Sequence, residues 1–431
     1  MNMKSVYLFM THFGSSMAHT LFAIPIDLCN RECDEKKPSD QRRIEPIIEF
    51  PASEYPLVMA CAKLGSRLYI LGGERQRSPC CSGSESDPNQ IYPPDVYVLD
   101  ENRNIQKLKV GMNTGKPTPV AFTADGKLFI LGSCGGPNLI SCTSLKPIDL
   151  PSSSLRFFEV FDPTTNEWTI LDDPPVTTPT IWVSSPVVVG RKVYLYGRFL
   201  GKGGSGVLLS FHLDSYHWEW AGIGSNDANF PQLRRHRPGR ILIGDTYYGL
   251  AKLGAGVVRQ RITEEDEQLL FRLPRGIHSL STNGFCHLGD SNFCTVVTGS
   301  LPEPGVPLHF GMLDQNRRFF SIRVFREIEG PEPHSISTDL LYSADYLFQS
   351  TYPSFGSLHG CYPFDTTLHS LSFLSILWVM TTLRICCLCA VVSATLLSGS
   401  AALSSSGVGV DHWWYDMVYY SPLSILIEFA V

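Results

Sequence analysis

Short apolar phrases recur along the chain, each closed by glycine. Residues 68–73 read LYILGG, 128–132 read LFILG and 193–197 read VYLYG. A small or charged break precedes each phrase: LGSR at 64–67, ADGK at 124–127 and VGRK at 189–192. Before each break lies another apolar stretch, PLVMACAK, PVAFTA or SSPVVV. Two β-rich runs joined by a tight polar turn predict a hairpin.

A second hairpin is predicted after each phrase, over 95–110, 157–171 and 208–221, with a fourth over 308–322. Each puts an aspartate at the turn: Asp100, Asp162, Asp214 and Asp314. An aspartate there can accept a hydrogen bond from the backbone two residues on. The unit is therefore four strands. Fainter copies follow at 243–251 and 288–299, and residues 5–10, 19–28 and 44–50 fit strands two to four of an earlier unit. Aligned on the phrase, Tyr7, Tyr69, Phe129, Tyr194 and Tyr247 recur at intervals of 47 to 65 residues, with Cys294 in the sixth copy. A four-stranded unit repeated at this length predicts an all-β fold, a β-propeller of six blades with seven as the alternative. Alternating side chains of the second strand should pack against blades on both sides, so both faces want apolar residues. The ring must close, and residues 335–344 are expected to supply the missing partner of the N-terminal strands.

Gly72 and Gly73, and the VFDPTTNEW segment from Val160 to Trp168, resemble the kelch family, whose blades pair two glycines after the second strand and space a Tyr and a Trp across the next hairpin. The resemblance covers about residues 1–350. It extends to divergent kelch and galactose-oxidase-like proteins common in plants, many of which accompany an F-box. It implies a kelch-type propeller and a protein partner. No F-box-like leucine-proline segment is read here, so a ubiquitin-adaptor role does not carry over. A copper site of His and Cys-modified Tyr is not placed either, which leaves a galactose-oxidase-like or sugar-processing enzyme as the alternative to a non-catalytic interaction scaffold.

The pattern stops near residue 351. Between 366 and 410 the one charged residue is Arg384, and the run ICCLCAVVSATLLSGSAAL that follows it is nineteen residues long without a charge, near the length that spans a bilayer. Residues 351–431 are expected to form an apolar tail outside the propeller. Three readings stand: a foreign extension, a membrane anchor, or helices packed on the ring. Residues 1–350 are expected to form one closed domain.

Composition changes little. The net charge of −6 provides no basic field for nucleic acid. Thirteen cysteines in no regular pattern fit free thiols in a reducing compartment, which places the protein in the cytoplasm or nucleus unless the tail anchors it to a membrane. No cofactor, metal or catalytic set is assigned; Cys386 and Cys389 make a lone pair without further ligands. The long loops after second strands (74–94 and 132–155) and between blades (222–240) should emerge on one end of the ring. Variable loops on a rigid frame are where binding concentrates. They carry Arg75, Arg77, Asn89, Tyr92, Arg234, Arg235 and Arg237, the candidate partner-binding residues.

Overall fold

Leu68, Tyr69, Ile70 and Leu71 are all buried, and they face opposite ways. Leu68 and Ile70 pack with Tyr7, Phe9 and Tyr362 on one side, Tyr69 and Leu71 with Leu128 and Ile130 on the other. A strand sandwiched like this has no polar face, which is why the phrase is apolar throughout. The computed structural model describes residues 3–364 apart from 13–16, 28–41, 76–87, 101–102, 134–137, 141–146, 150–155, 177–179, 183–185, 200–205, 224–240, 244–245, 251–255, 262–267, 273–282, 303–312, 330–335 and 350–355.

The architecture is six blades. The chain opens with β1 (Met3–His12), β2 (Met17–Asp27), β3 (Arg42–Arg43) and β4 (Ile48–Pro51). Blade 2 holds β5 (Ala60–Leu64), β6 (Arg67–Leu71), β7 (Val96–Leu99) and β8 (Ile105–Lys107), with one helical turn, α1 (Pro88–Ile91), between its middle strands. Blade 3 is β9 (Val120–Ala124) and β10 (Lys127–Leu131), then a side hairpin of β11 (Asn138–Ile140) and β12 (Pro147–Asp149), then β13 (Phe158–Asp162) and β14 (Glu167–Ile170). Blade 4 starts with two short pieces, β15 (Thr180–Trp182) and β16 (Val187–Val189), and continues through β17 (Lys192–Phe199), β18 (Gly206–His212) and β19 (His217–Ile223). Blade 5 is β20 (Ile241–Ile243), β21 (Thr246–Leu250), β22 (Gly256–Arg261) and β23 (Gln268–Arg272). Blade 6 is β24 (Asn283–Gly289), β25 (Asn292–Pro302), β26 (Leu313–Glu329) and β27 (Ile336–Gln349), with β3 added in parallel at its edge. The last described strand is β28 (Gly356–Phe364). Tyr7, Tyr69, Phe129, Tyr194, Tyr247 and Cys294 each fall on the second strand of a blade and each is buried.

Two sequence expectations need correction. The segment expected at 335–344 does not complete blade 1; its described residues, 336–344, lie in β27, the fourth strand of blade 6. The missing strand is β28, which pairs antiparallel with β1 from Ser5↔Phe364 to His12↔Gly356, giving the sheet order β28-β1-β2-β4. It is therefore the first, inner strand, and it lies beyond the expected boundary at residue 350. The expected turn at Asp314 is not formed either: 313–322 is continuous strand inside β26, and 308–312 lie outside the described residues. There the register against β25 jumps from Ser300↔Arg318 to Leu301↔Asp314, so the polar Asp-Gln-Asn stretch marks a bulge rather than a turn. Of the tail, residues 356–364 form β28, and 365–431, with Cys386 and Cys389, lie outside the described residues. Among the described residues no helix is long and apolar enough to cross a membrane.

Asp162 does what the turn aspartates were expected to do, accepting from Thr164 N (2.9 Å) and Thr164 Oγ1 (2.6 Å). Asp100 accepts from Asn104 N, four residues on (2.8 Å), and Asp214 instead accepts from Arg191.

The glycine pair has a steric cause. Gly72 and Gly73 have φ of +71° and +94°, where a side chain is strained, and a Cβ on Gly73 would stand 2.4 Å from the Leu57 carbonyl oxygen. Gly73→Ala is expected to cost at least 1–3 kcal/mol, about the range for a residue held in a sparsely populated conformation. Gly65→Ala, also at positive φ but with open space around it, should cost less. Urea midpoints of the two variants check the order, and equal losses would refute the close-approach argument.

Candidate interaction face

The turns joining first to second strands are two residues long in four blades: 65–66, 125–126, 190–191 and 290–291. The opposite end carries the connections between second and third strands and between blades. At blades 2 and 3 their roots are held by main-chain bonds. Leu57 and Glu74 exchange two (2.7 and 2.9 Å), Gly73 N donates to Lys116 O (2.9 Å), Arg75 N to Ile91 O (2.8 Å), and Met112 N to Pro94 O (2.9 Å). Ser133 N donates to Pro117 O (2.8 Å). The linker 112–118 between blades 2 and 3 is thus stitched to the ends of both second strands.

A buried ion pair holds this linker from below. Lys116 and Glu159 form a short salt bridge with no exposed side-chain surface on either partner. Glu159 also accepts from Asn113 N (2.8 Å), Asn113 Nδ2 (3.0 Å) and Thr114 N (2.9 Å). The Lys116 ammonium uses its remaining protons on Thr114 O (2.7 Å) and Arg156 O (2.8 Å). Burial lowers the Lys116 pKa, and the Glu159 carboxylate offsets only part of that shift. With every donor satisfied and no surface exposed, the pair serves as a clamp between linker and blade 3. Nearby, Asp173 receives Phe157 N (2.7 Å) and Phe158 N (3.0 Å), and burial raises its pKa.

The candidate partner-binding residues separate on this frame. Arg75 is exposed at the rim, 3.5 Å from Asp95, whose other oxygen takes Lys107 at 2.8 Å. Burial and then the Asp95 charge push the Tyr97 phenol up to about 12. Tyr92 is fully buried, with its carbonyl packed over Gly115, so it belongs to the frame and not to a contact surface. Asn89 lies in α1. Arg77, Arg234, Arg235 and Arg237 lie outside the described residues. Sequence reading missed Lys116 and Glu159. The available signal was a charge inside the otherwise apolar run Phe158, Val160, Phe161.

The opposite end shows charge of another kind. Arg191 reaches Asp214 (2.6 Å) and Asp125 (2.7 Å), bridging the turns of blades 4 and 3 in full solvent. Exposed pairs of this sort contribute little.

No protein-family model matches the chain. Among curated proteins it is similar to three from Arabidopsis thaliana. An F-box/kelch-repeat protein is 29% identical over 134 residues, covering 30% of this chain and 31% of that protein. A putative F-box/kelch-repeat protein is 23% identical over 166 residues (38% and 34%), and another F-box/kelch-repeat protein is 24% identical over 132 (30% and 28%). The chain matches about a third of the length of these relatives. Among solved structures it is similar to a chain of a nidogen/laminin complex, with TM-score 0.38 and 9% identity over 80% of this chain and 98% of that one. It is also similar to YjhT, with TM-score 0.34 and 15% identity over 62% and 80%. The homologues of this chain are plant F-box/kelch-repeat proteins, and its fold is a six-bladed β-propeller.

Proposed function

We propose that the protein is a non-catalytic interaction scaffold that presents its long loops to a protein partner. The observation that carries this is the stitched frame at blades 2 and 3, where main-chain bonds and the Lys116–Glu159 clamp fix the roots of those connections. A rigid base under variable loops lets binding avoid much of the ordering cost. Arg75 stands at the rim of that base, Arg77 belongs to the loop that starts from it, and Arg234, Arg235 and Arg237 belong to the connection between blades 4 and 5. The relatives' kelch-repeat descriptions agree with an interaction module.

The test is capture from plant extract by the full chain, by variants with 76–87 or 224–240 replaced by short Gly-Ser linkers, and by Arg75→Glu. A stoichiometric partner held by the wild type and lost from the loop variants supports the reading. Capture that ignores all three changes removes this end of the ring from consideration. Purified protein that holds copper and oxidises a sugar alcohol would replace the scaffold with the oxidase alternative.

A further inference from the structure

The second strand of four blades packs an aromatic ring against the next blade, through Tyr7, Tyr69, Phe129 and Tyr194, and in blade 5 Tyr247 packs back against Tyr194. The sixth copy has a thiol, Cys294. Its antiparallel partner on β24 is Cys286. A third thiol, Cys361, arrives from β28. All three are free and buried, and their Sγ atoms lie within 4.8 Å of one another. Cys361 Sγ donates to Cys286 Sγ at 3.2 Å. Two ligating groups thus come from blade 6 and the third from the strand that closes the ring.

We infer that Cys286, Cys294 and Cys361 form a three-sulfur site for a soft d10 metal cation, zinc(II) or copper(I), at the closing seam. A disulfide would use two of the sulfurs and leave the third idle, whereas one cation engages all three. Thiolates about 2.3 Å from a shared ion stand roughly 3.7–4.0 Å apart, within the observed spread. Sulfur donors select copper(I) and zinc over magnesium, calcium or manganese. The three thiols belong to a buried cluster that is largely apolar, with Val6, Leu8, Val296, Val324 and Leu341, and that also holds the Tyr346 phenol. The charge balance is favourable for zinc: three thiolates and Zn(II) carry one net negative charge, and the buried Lys63 ammonium bonds Pro363 O, two residues along β28 from Cys361. Binding is proton exchange. Each thiol that coordinates releases its proton to solvent, and no electrons move. Because the third ligand sits on β28, the ion stabilises the closed ring over any state with that strand undocked.

The experiment uses the full chain, purified under reductant, stripped with chelator and then titrated with Zn(II) alone or Cu(I) alone. Metal content after desalting and the melting temperature are both read. One tightly held ion per chain, with a rise of several degrees in Tm, is expected for at least one of the two metals. Cys294→Ser and Cys286→Ala should keep the strand spectrum and lose both the ion and the shift. Cys386→Ser combined with Cys389→Ser should keep both. The proposal is overturned if neither metal reaches stoichiometry, if Cys294→Ser retains the ion and the shift, or if the isolated protein carries a Cys286–Cys361 disulfide.

Discussion

Deleting residues 356–364 from the full chain is expected to abolish cooperative unfolding of the propeller. The strand they form is tied to three blades. It pairs with β1, Cys361 packs against blade 6, and two bonds reach blade 2. There Tyr362 Oη donates to Cys61 O at 2.6 Å, and Lys63 Nζ, 4.9 Å from the Phe364 ring centre, makes a short bond to Pro363 O. Tyr362 is fully buried, and truncating such a ring to alanine alone costs about 3–5 kcal/mol. Losing the whole strand also uncovers the apolar edge of β1 and exceeds the roughly 5–15 kcal/mol by which a native domain is stable. Near-ultraviolet circular dichroism through a thermal ramp gives the answer. A deletion variant that melts sharply at the wild-type temperature would show that β28 is dispensable.

The second large effect is expected at the buried clamp. Glu159→Ala strands the Lys116 ammonium and also leaves the Asn113 and Thr114 amides without their acceptor. Breaking a buried pair in this way costs about 3–5 kcal/mol. Lys116→Met should cost less, because the carboxylate keeps the bonds from Asn113 and Thr114. Urea midpoints, at an unchanged m-value, rank the two variants. The opposite ranking would mean that the lysine, through Thr114 O and Arg156 O, is the principal anchor of the linker.

Local signals made the blades readable. Tyr69, Phe129 and Tyr194 sit in runs that are apolar on both faces, and their glycines mark where a neighbouring chain passes close, so second strands could be placed in all six copies. Blade 6 misled because Asp314-Gln-Asn has the composition of a turn while the backbone carries it through a long strand as a bulge. The closing strand GSLHGCYPF has two glycines, a histidine and a proline. The burial of its Cys361 and Tyr362 comes from its place at the edge of the first sheet, which no local periodicity records. Tyr92 reads as a contact residue because it lies in the long 74–94 loop; Gly115, 23 residues on, leaves the room in which its backbone packs. Lys116 meets Glu159 only when the linker packs on blade 3, and Cys361 reaches the Cys286–Cys294 hairpin pair only when β28 closes the ring. No motif spacing connects them.

Closing the first sheet with the last described strand also sets a schedule for synthesis. His12 leaves the ribosome almost 350 residues ahead of Gly356. At about 5–20 residues per second, β1 waits roughly 20–70 s for its partner. Through that interval Val6, Tyr7, Leu8, Phe9 and Met10 stand at an unpaired edge, uncharged and rich in β-formers, the kind of segment that joins with other chains. β1 is therefore exposed to misassembly from its own synthesis until that of β28, and the protection it needs there lasts through the making of every blade in between.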